Sequence, residues 1–305
     1  MLNTLRKRFV LFSVMVISTI LILLGLLTYM SPTSHVSSSR YIWTILLAIG
    51  MVVAGSWLLS KEAIRPIKAA WQKQLDFTAD ASHELRTPIA VIRTTLELLL
   101  DSPEETIGSQ MKWLKNMEAE NLRLAKLVDD LLTLSKADTN QQTIECKTFL
   151  LHDVITDALL PFEPIAAKKN IVLETSINDD IMIHGDRKRM EQLMVILVDN
   201  AINYSDSPGT IKVSVAQSKS KYRLLVSDTG VGIEKEHLDK IFDRFYRINQ
   251  TRNKNPDGSG LGLSIAKWIV QEHGGTIKVA SSPGIGTTFN IVLPAKKYLE
   301  LSSAD

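Results

Sequence analysis

Cysteine and N-terminal acidic residues are scarce in this 305-residue sequence, and each shortage limits the kind of protein it encodes. The single cysteine, Cys146, cannot form an internal disulfide, which excludes a disulfide-stabilised secreted domain. Residues 1–60 contain four basic residues and no acidic residue, whereas the other 31 basic and 33 acidic residues give residues 61–305 a net charge of −2. Because the larger part of the chain has no basic excess, its bulk charge does not indicate direct nucleic-acid binding.

Charge is also absent from two long apolar runs, residues 9–30 and 41–60, which are 22 and 20 residues long. A helix needs about 20 apolar residues to cross a bilayer, so both runs are long enough. Basic residues before the first run and after the second place both chain ends in the cytoplasm under the positive-inside rule. A cleaved signal peptide is the alternative for the first run, but the run is long for one and lacks a convincing cleavage site. The sequence therefore predicts a two-span membrane anchor.

A heptad pattern of apolar residues follows and predicts one long helix from residue 61 to about residue 101. Ser102 and Pro103 read as the N-cap and first residue of a second helix that ends near Asp138. The predicted seams are Trp71, Leu75, Thr78, Ser82, Leu85, Ile89, Ile92, Leu96 and Leu99 in the first helix, and Leu114, Met117, Asn121, Leu124, Val128 and Leu131 in the second. Two such helices cannot bury their apolar stripes alone, so we expect two copies of the chain to form a four-helix bundle.

His83 lies on the flank of this hairpin, one residue past the seam position Ser82. Pro88 follows within the same helix and is expected to kink or loosen the turn that holds the histidine. Glu84 can accept a proton from an imidazole, and Thr87, one turn away, can position a water. A lone helical histidine is more often a solvated or packing residue, but Glu84 has Pro88 rather than a basic residue at i+4, so a helical salt bridge does not explain it.

The pattern changes after residue 138 and predicts an α+β domain with mostly antiparallel strands and helices on one side. Strands are expected at 171–177, 181–184, 210–216, 222–228, 276–280 and 287–293, and helices at 187–204 and 261–273. Nine of the fifteen glycines lie between Gly230 and Gly286. The backbone there must make tight turns or approach another group closely.

Three features of this domain suit a purine nucleotide. Asp228 follows a strand, and its carboxylate can accept a hydrogen bond from an adenine amino group, whereas guanine would leave it unpaired at a cost of about 1–3 kcal/mol. The glycine-rich run 258–262 opens a helix whose free N–H groups suit phosphate, although a tight strand–helix turn is the alternative. A Rossmann fold and a P-loop are both excluded, since no parallel βαβ unit follows and no GK[ST] occurs. The amide oxygen of Asn200 is a suitable Mg²⁺ ligand, but alone it is more often a helix-surface residue.

The hairpin residues resemble a known family. The segment Phe77–Pro88 resembles the H-box of bacterial sensor histidine kinases, and Leu131–Asp138 resembles the motif that ends their dimerisation domain. This resemblance implies that His83 is the phosphoacceptor and that Glu84 is its base. It also implies that Glu84 and Thr87 together dephosphorylate the partner protein.

The C-terminal motifs resemble the ATP-binding domain shared by histidine kinases, gyrase, Hsp90 and MutL. They are Val198–Tyr204 (N box), Asp228–Ile233 (G1 box), Ile241–Tyr246 (F box), Gly258–Leu263 (G2 box) and Gly286–Phe289 (the last glycine motif), with residues 247–256 as a lid over the phosphates. The resemblance implies that Asn200 binds Mg²⁺. It also implies that ATP is bound by Asn200, Asn203, Tyr204, Asp228, Gly230, Gly232, Ile233, Phe245, Arg252, Gly258, Gly260, Leu261, Gly262, Leu263 and Thr287.

Taken together, the resemblance implies a homodimeric sensor histidine kinase in the bacterial cell membrane, with both termini cytoplasmic. It would use ATP and Mg²⁺ to phosphorylate His83 and would pass the phosphoryl group to an aspartate of a cognate response regulator. The ten residues between the predicted spans are too few for an external sensor domain. The signal is therefore expected to come through the membrane, from a partner such as another membrane protein, or from the cytoplasm. The predicted domains are the anchor (1–60), a linker helix (61–76), a dimerisation and phosphotransfer domain (77–140), an ATP-binding domain (145–298) and a tail (299–305).

Three positions depart from the family pattern. Such kinases often have Asn where this chain has Ile196, Lys where it has Asn203 and Gly where it has Asp257. Ile196 cannot ligate a metal, so Asn200, water and phosphate would have to complete the Mg²⁺ shell, and slow ATP turnover is one expectation. Two alternatives stay open: a membrane ATPase of the gyrase/Hsp90 type in which His83 is incidental, and a degenerate membrane scaffold that does not use ATP.

Overall fold

The computed structural model describes residues 14–16, 18–20, 22–23, 25–26, 38–138, 145–177, 181–218, 220–248 and 258–295. The chain divides into two compact units, Met1–Ala79 and Asp80–Asp305. Of the first predicted span, the described residues lie between 14 and 26 and are helical. Among the residues that the structure describes, we find no helix both long enough and apolar enough to cross a lipid bilayer. The two-span anchor stays a prediction from the sequence.

The first complete helix, α1, extends over Ser38–Leu100 and includes Pro88 without a break. The second helix, α2, extends over Ile107–Asp138. The prediction that Ser102 caps α2 is wrong, because the chain between the helices forms a turn that holds α2 back to residue 107. Thr106 Oγ1 accepts a hydrogen bond from Ser109 N at 3.4 Å, and Gln110 Nε2 donates to the Ser102 carbonyl at 3.0 Å. Thr106 rather than Ser102 therefore supplies the capping oxygen.

Much of the predicted heptad seam is exposed in the single chain: Ile89 is 53% exposed, Leu96 45% and Val128 41%. The buried residues of α2 are Leu127 and Leu134, which lie outside that seam. Helix α2 also contacts a helix of the C-terminal domain, and a helix with partners on two sides buries residues outside a single stripe. The predicted seam thus marks the face of the hairpin that is exposed in the single chain. The buried face of α2 packs within the same chain.

The C-terminal domain consists of two sheets and their helices. Its elements are β1 (Lys147–Leu150), α3 (Leu151–Leu159), α4 (Glu163–Lys168), β2 (Ile171–Ser176), β3 (Met182–Gly185), α5 (Arg187–Tyr204), β4 (Gly209–Ser218), β5 (Lys221–Asp228), α6 (Gly262–Glu272), β6 (Thr276–Ser282) and β7 (Gly286–Pro294). Strands β2-β4-β5-β7-β6 form the main sheet, with β2 and β4 parallel and the other neighbours antiparallel; β1 and β3 pair separately. A helical hairpin followed by an α+β domain is confirmed, whereas β1, α3 and α4 were not predicted.

Helix α5 and its neighbours form the layer that covers the main sheet. Helix α5 contacts α3 and α6, and it also contacts β4 and β5 of the sheet. Its apolar side is fully buried, with Met190, Leu193, Met194, Leu197 and Val198 at 0% exposure. At about 25 cal/mol per Å² of apolar surface, burial of this side is the main contribution that holds α5 in place.

The start of α5 is fixed from two directions. Asp186 Oδ1 accepts a hydrogen bond from Arg189 N at 3.1 Å, which confirms Asp186 as the N-cap. His273 Nε2 accepts from Asp186 N at 3.0 Å, so its other ring nitrogen, Nδ1, carries the proton and donates to the Ile269 carbonyl at 2.7 Å. The histidine thereby ties the end of α6 to the beginning of α5, the two helices that carry Gly262 and Asn200.

Candidate functional site

A cleft of about 500 Å³ opens between α5, the end of β5 and the turn that begins α6. Ten of the residues predicted to bind nucleotide line it: Asn200, Tyr204, Asp228, Gly232, Ile233, Gly258, Gly260, Gly262, Leu263 and Thr287. Four others, Asn203, Gly230, Phe245 and Leu261, are not among its lining residues. Arg252 and most of the predicted lid lie outside the described residues. The structure thus brings residues of five separate motifs to one cleft, namely the N, G1, F and G2 boxes and the last glycine motif. The binding role of each residue stays a prediction.

Asp228 is a half-buried carboxylate at the end of β5 in this cleft. Its Oδ1 accepts hydrogen bonds from Gly230 N at 2.9 Å and from Thr287 N at 3.2 Å. Burial raises the pKa of Asp228, and these two backbone bonds partly offset that effect by stabilising the charged form. Within the described part of the chain both bonds end on Oδ1, which leaves Oδ2 for a donor on a ligand. Asp228 pairs with Thr287 across β5 and β7, so the sheet register itself sets this geometry.

Close approach of backbone to backbone explains two of the glycines. Gly232 has φ +69°, and a Cβ there would overlap the Ser282 carbonyl. Gly260 has φ +74°, and a Cβ there would lie 2.8 Å from the Phe245 carbonyl carbon. Only glycine combines a positive φ with the space that these contacts leave. The glycines therefore shape the walls of the cleft by letting its loops pack tightly on the rest of the domain.

Phe245 supports the cleft from outside through its backbone. It has φ +59°, uncommon for a residue other than glycine, and its N–H donates to the Gly260 carbonyl at 3.0 Å. This bond joins the segment 241–246 to the 258–262 turn. Phe245 was predicted to bind the nucleotide. It is not among the lining residues of the cleft, and its backbone contacts Gly260.

Asn200 presents its amide to the cleft in a defined orientation. Its Nδ2 donates to the Ile196 carbonyl at 2.8 Å, so the amide oxygen is directed away from that carbonyl. An amide oxygen is a hard ligand that Mg²⁺ accepts alongside waters and phosphates, so Asn200 fits the predicted metal role. Ile196 packs instead against the turn, where a Cβ on Gly262 would lie 3.3 Å from Ile196 Cγ2. Asn203 Nδ2 donates to Asp199 Oδ1 at 3.0 Å and so braces its own helix.

The second hairpin helix forms part of the same cleft, which sequence reasoning missed. Lys126, Asp129 and Asp130 of α2 all line it. Lys126 Nζ lies 3.9 Å from Asp199 Oδ2 on α5. Burial raises the pKa of Asp130 to about 6, with Lys126 lowering it and Asp129 raising it further. An acidic pair inside the otherwise apolar stretch 127–134 was the available signal.

A bidentate ion pair joins the two domains near the end of α2. Arg244 Nη1 and Nη2 donate to the two carboxylate oxygens of Asp138 at 2.8 and 2.7 Å. Such a two-point pair fixes orientation as well as distance. Arg244 immediately precedes Phe245, so the contact connects the hairpin to the segment that supports the glycine turn.

His83, Glu84 and Thr87 lie on α1 and none of them is among the lining residues of the cleft. His83 is exposed and Glu84 is half-buried. Thr87 Oγ1 donates to the His83 carbonyl at 3.4 Å, a long bond that ties the hydroxyl to its own helix. From α2, Arg123 Nη2 lies 3.9 Å from Glu84 Oε2. The structure therefore separates the candidate phosphoacceptor from the candidate nucleotide cleft.

Comparison with known proteins agrees with this division. The family model described as "His Kinase A (phospho-acceptor) domain" matches residues 73–140. The model described as "Histidine kinase-, DNA gyrase B-, and HSP90-like ATPase" matches residues 185–297. Sensor histidine kinase RppB of Synechocystis sp. is 32% identical over 262 residues, which cover 84% of this chain and 58% of RppB. This chain thus spans about half the length of the curated relatives it matches.

Two solved structures are also similar. Histidine kinase AdeS of Acinetobacter baumannii matches with 29% identity and a TM-score of 0.58, over 70% of this chain and 98% of that one. Histidine kinase ThkA, solved in complex with the response regulator protein TrrA, matches with 27% identity and a TM-score of 0.61, over 78% of this chain and 66% of that one.

Proposed function

Since the chain belongs to the sensor histidine kinase family, we propose that it phosphorylates its own His83 from ATP and then phosphorylates an aspartate of a response regulator. The observation that carries this proposal is the presence in one chain of an exposed H-box histidine and a separate cleft built by Asp228, Asn200 and the 258–262 turn. The ThkA structure contains a response regulator, which supports the choice of partner class.

ATP would bind with its adenine at Asp228 and its phosphates at the opposite end of the cleft. Asp228 Oδ2 would accept from the adenine amino group, because Oδ1 already holds two backbone donors. The start of α6 at Gly262 offers N–H groups that have no partner within the helix, and the positive end of the helix dipole, to the phosphates. Asn200 would hold Mg²⁺ through its amide oxygen, and a bound Mg²⁺ would neutralise phosphate charge.

The transfer step needs a nitrogen nucleophile and a base. A ring nitrogen of neutral His83 would attack the γ-phosphorus, forming a P–N bond as the P–O bond to ADP breaks and ADP leaves with the electron pair. The proton on the other ring nitrogen would pass to the Glu84 carboxylate. The regulator aspartate would then attack the phosphorus and break the P–N bond. In the phosphatase reaction, which switches the signal off, Thr87 and Glu84 would position a water that hydrolyses the regulator's acyl phosphate.

Because His83 does not line the cleft, the ATP-binding domain has to move along the hairpin before transfer. Such a movement would have to replace the packing of α2 against α6. It would also break two ion pairs, Lys126 with Asp199 and Arg244 with Asp138. Charged and hydrogen-bonded surface contacts of this kind can exchange without unfolding either domain.

We further propose that two chains pair through the exposed seam and that residues 1–60 anchor them in the bacterial cell membrane. The exposed Ile89, Leu96 and Val128 support pairing with a second copy. The sequence alone supports the anchor, through its two charge-free runs and the basic residues that flank them. Both termini would then be cytoplasmic, and a signal would arrive from the lipid or from a neighbouring membrane protein.

The experiment is to incubate the full-length chain, in detergent or in lipid nanodiscs, with γ-labelled ATP and Mg²⁺. We expect acid-labile label on the wild-type chain and on His184→Gln, which removes another exposed histidine, and no label on His83→Gln. Label that persists in His83→Gln would exclude His83 as the phosphoacceptor. ATP hydrolysis without label would favour the gyrase/Hsp90-type ATPase, and absence of nucleotide binding would favour the scaffold.

A further inference from the structure

Three charged side chains meet between the hairpin helices beside the H-box. Arg123 Nη2 lies 3.9 Å from Glu84 Oε2, and Arg123 Nη1 lies 3.7 Å from Glu120 Oε2. All three side chains are largely withdrawn from solvent: 33% of Glu84, 23% of Arg123 and 21% of Glu120 is exposed. One guanidinium group thus bridges a carboxylate on α1 and a carboxylate on its own helix, one on each of its two terminal nitrogens.

The second carboxylate explains why the guanidinium stays in this position. Glu120 Oε2 is buried and, within the described part of the chain, accepts no hydrogen bond. A buried carboxylate is costly unless a positive charge lies close to it. Glu120 therefore holds Arg123 in the space between the helices, where its other edge faces Glu84.

The position of Glu84 matters because adjacent helical residues do not face each other. Side chains at i and i+1 diverge by about 100° around the helix axis, so the half-buried Glu84 points toward α2 while His83 is exposed. The local backbone is also weakened: Pro88 has no N–H, so the Glu84 carbonyl lacks its helical donor. A proton acceptor in a loosened turn requires a side-chain contact from outside the turn to define its place.

We propose that Arg123 is a positioning residue for phosphoryl transfer to His83, acting through Glu84. It fixes the position of the Glu84 carboxylate, which would take the proton of the His83 ring as the P–N bond forms and the bond to ADP breaks. This inference rests on the proposed function. It assigns to Arg123 no contact with ATP, since Arg123 does not line the cleft.

The test compares initial rates of His83 labelling at several ATP concentrations in full-length variants. Arg123→Met should lower kcat about tenfold, because a small displacement of a reacting group is costly, and should leave KM for ATP unchanged. Arg123→Lys, which keeps the charge, should restore most of kcat. Arg93→Met is the matched control: Arg93 pairs with Glu97 on the same hairpin at 3.3 Å, in an exposed i,i+4 pair, and its loss should change neither constant.

A double variant separates positioning from simple charge compensation. Arg123→Met alone would leave the Glu120 carboxylate without its partner, so the double variant also carries Glu120→Gln, which removes that charge. The double variant is therefore expected to fold. If Arg123 positions Glu84, kcat in the double variant stays about tenfold low, since Glu84 still lacks its contact. If Arg123 only neutralises Glu120, the double variant regains the wild-type kcat, and the inference is overturned.

Two further results would also overturn it. Wild-type kcat in Arg123→Met would show that Glu84 needs no such contact, while leaving the proposed function intact. Loss of kcat in Arg123→Lys equal to that in Arg123→Met, with the same fall in melting temperature, would show a purely structural role. An unlabelled wild-type chain would instead remove the proposed function and this inference together.

Discussion

Asp228 in the cleft and His83 on the hairpin are both proposed to act in the same reaction, yet their surroundings are opposite. Asp228 is half-buried and held by two backbone N–H groups that the pairing of β5 and β7 puts in place. His83 is exposed on a single helix. A binding site gains from groups that are fixed before the ligand arrives. A phosphoacceptor that must meet first the ATP-binding domain and then a regulator gains from being reachable by both.

A substitution of Asp228, the residue that is held in place before ATP binds, is expected to have the strongest effect. Asp228→Asn keeps the size of the side chain but replaces a carboxylate oxygen by an NH₂ group that cannot accept from adenine. We expect ATP affinity to fall about 10- to 100-fold, which corresponds to 1–3 kcal/mol for a mismatched buried polar group. Titration calorimetry with a non-hydrolysable ATP analogue measures it.

The controls for this prediction come from both regions. Asp157→Asn removes an exposed carboxylate of the same domain, which pairs with Arg187, and should leave the affinity unchanged. His83→Gln should also leave it unchanged, because His83 does not line the cleft. Wild-type affinity in Asp228→Asn would remove Asp228 from the adenine site.

The parts of the fold that sequence could predict are those with local patterns. Helix α5 was found from its N-cap Asp186 and its apolar period, and the strands from alternation and flanking glycines. Strand β1 was missed because its four residues are too few to establish a period. Helix α3 does carry a helical period of apolar residues, Leu151, Val154, Ile155, Ala158 and Leu159, which the prediction did not use. The start of α2 was misplaced because Thr106 and Ser102 are both capable caps, and only the turn decides between them.

The missed parts of the candidate site are contacts between distant segments. Arg244 and Asp138 are 106 positions apart, and no local pattern pairs them. Leu127 and Leu134 fall outside the heptad seam because their partner is not the other hairpin helix alone. From the sequence, Asp130 is expected to be a solvated residue of an amphipathic helix. In the structure it lines the cleft together with residues of the C-terminal domain.

Asp130 is a part-buried carboxylate on α2, so the hairpin also contains a charged group that is partly withdrawn from solvent. Burial raises its pKa from the ordinary value of 3.8 to about 6, so the folded chain binds this proton more tightly than the unfolded chain. The resulting stability is fully present below pH 3.8 and is lost as the pH rises through about 6. At pH 7.5 we therefore expect Asp130→Asn to be more stable than the wild type by about 1–2 kcal/mol, allowing for partial solvent screening.

Urea unfolding at a series of pH values checks this prediction. The gain in Asp130→Asn should shrink as the pH falls below about 6 and should disappear well below pH 3.8, where the wild-type carboxyl is protonated in both states. Asp239→Asn removes an exposed carboxylate and should give no pH-dependent gain. A constant difference between Asp130→Asn and wild type at every pH would show that burial of charge is not the cause.

Loss of the ion pair between Arg244 and Asp138 is expected to change the autophosphorylation rate only modestly. Arg244→Gln removes the bidentate contact with Asp138, which frees the ATP-binding domain to move toward His83. We expect autophosphorylation to rise by up to about fivefold, because a part-exposed pair contributes about 1 kcal/mol or less. Initial labelling rates at saturating ATP measure the change.

Arg187→Gln is the control, since it breaks a comparable pair with Asp157 inside the ATP-binding domain and should not alter the rate. A slower rate in Arg244→Gln would mean that the contact belongs to the transferring arrangement rather than to one that precedes it.

In the proposed mechanism, the exposed His83 receives the phosphoryl group from ATP that is bound in the cleft at Asp228. The most direct measurement is to react the full-length chain with ATP and Mg²⁺, digest it at neutral to alkaline pH and locate the phosphate by mass spectrometry. The account predicts phosphate in the peptide that contains His83, and much less of it in that peptide from Asp228→Asn at an ATP concentration well below the dissociation constant of that variant. Phosphate on any other residue, or its absence from a wild-type chain that binds ATP, would contradict it.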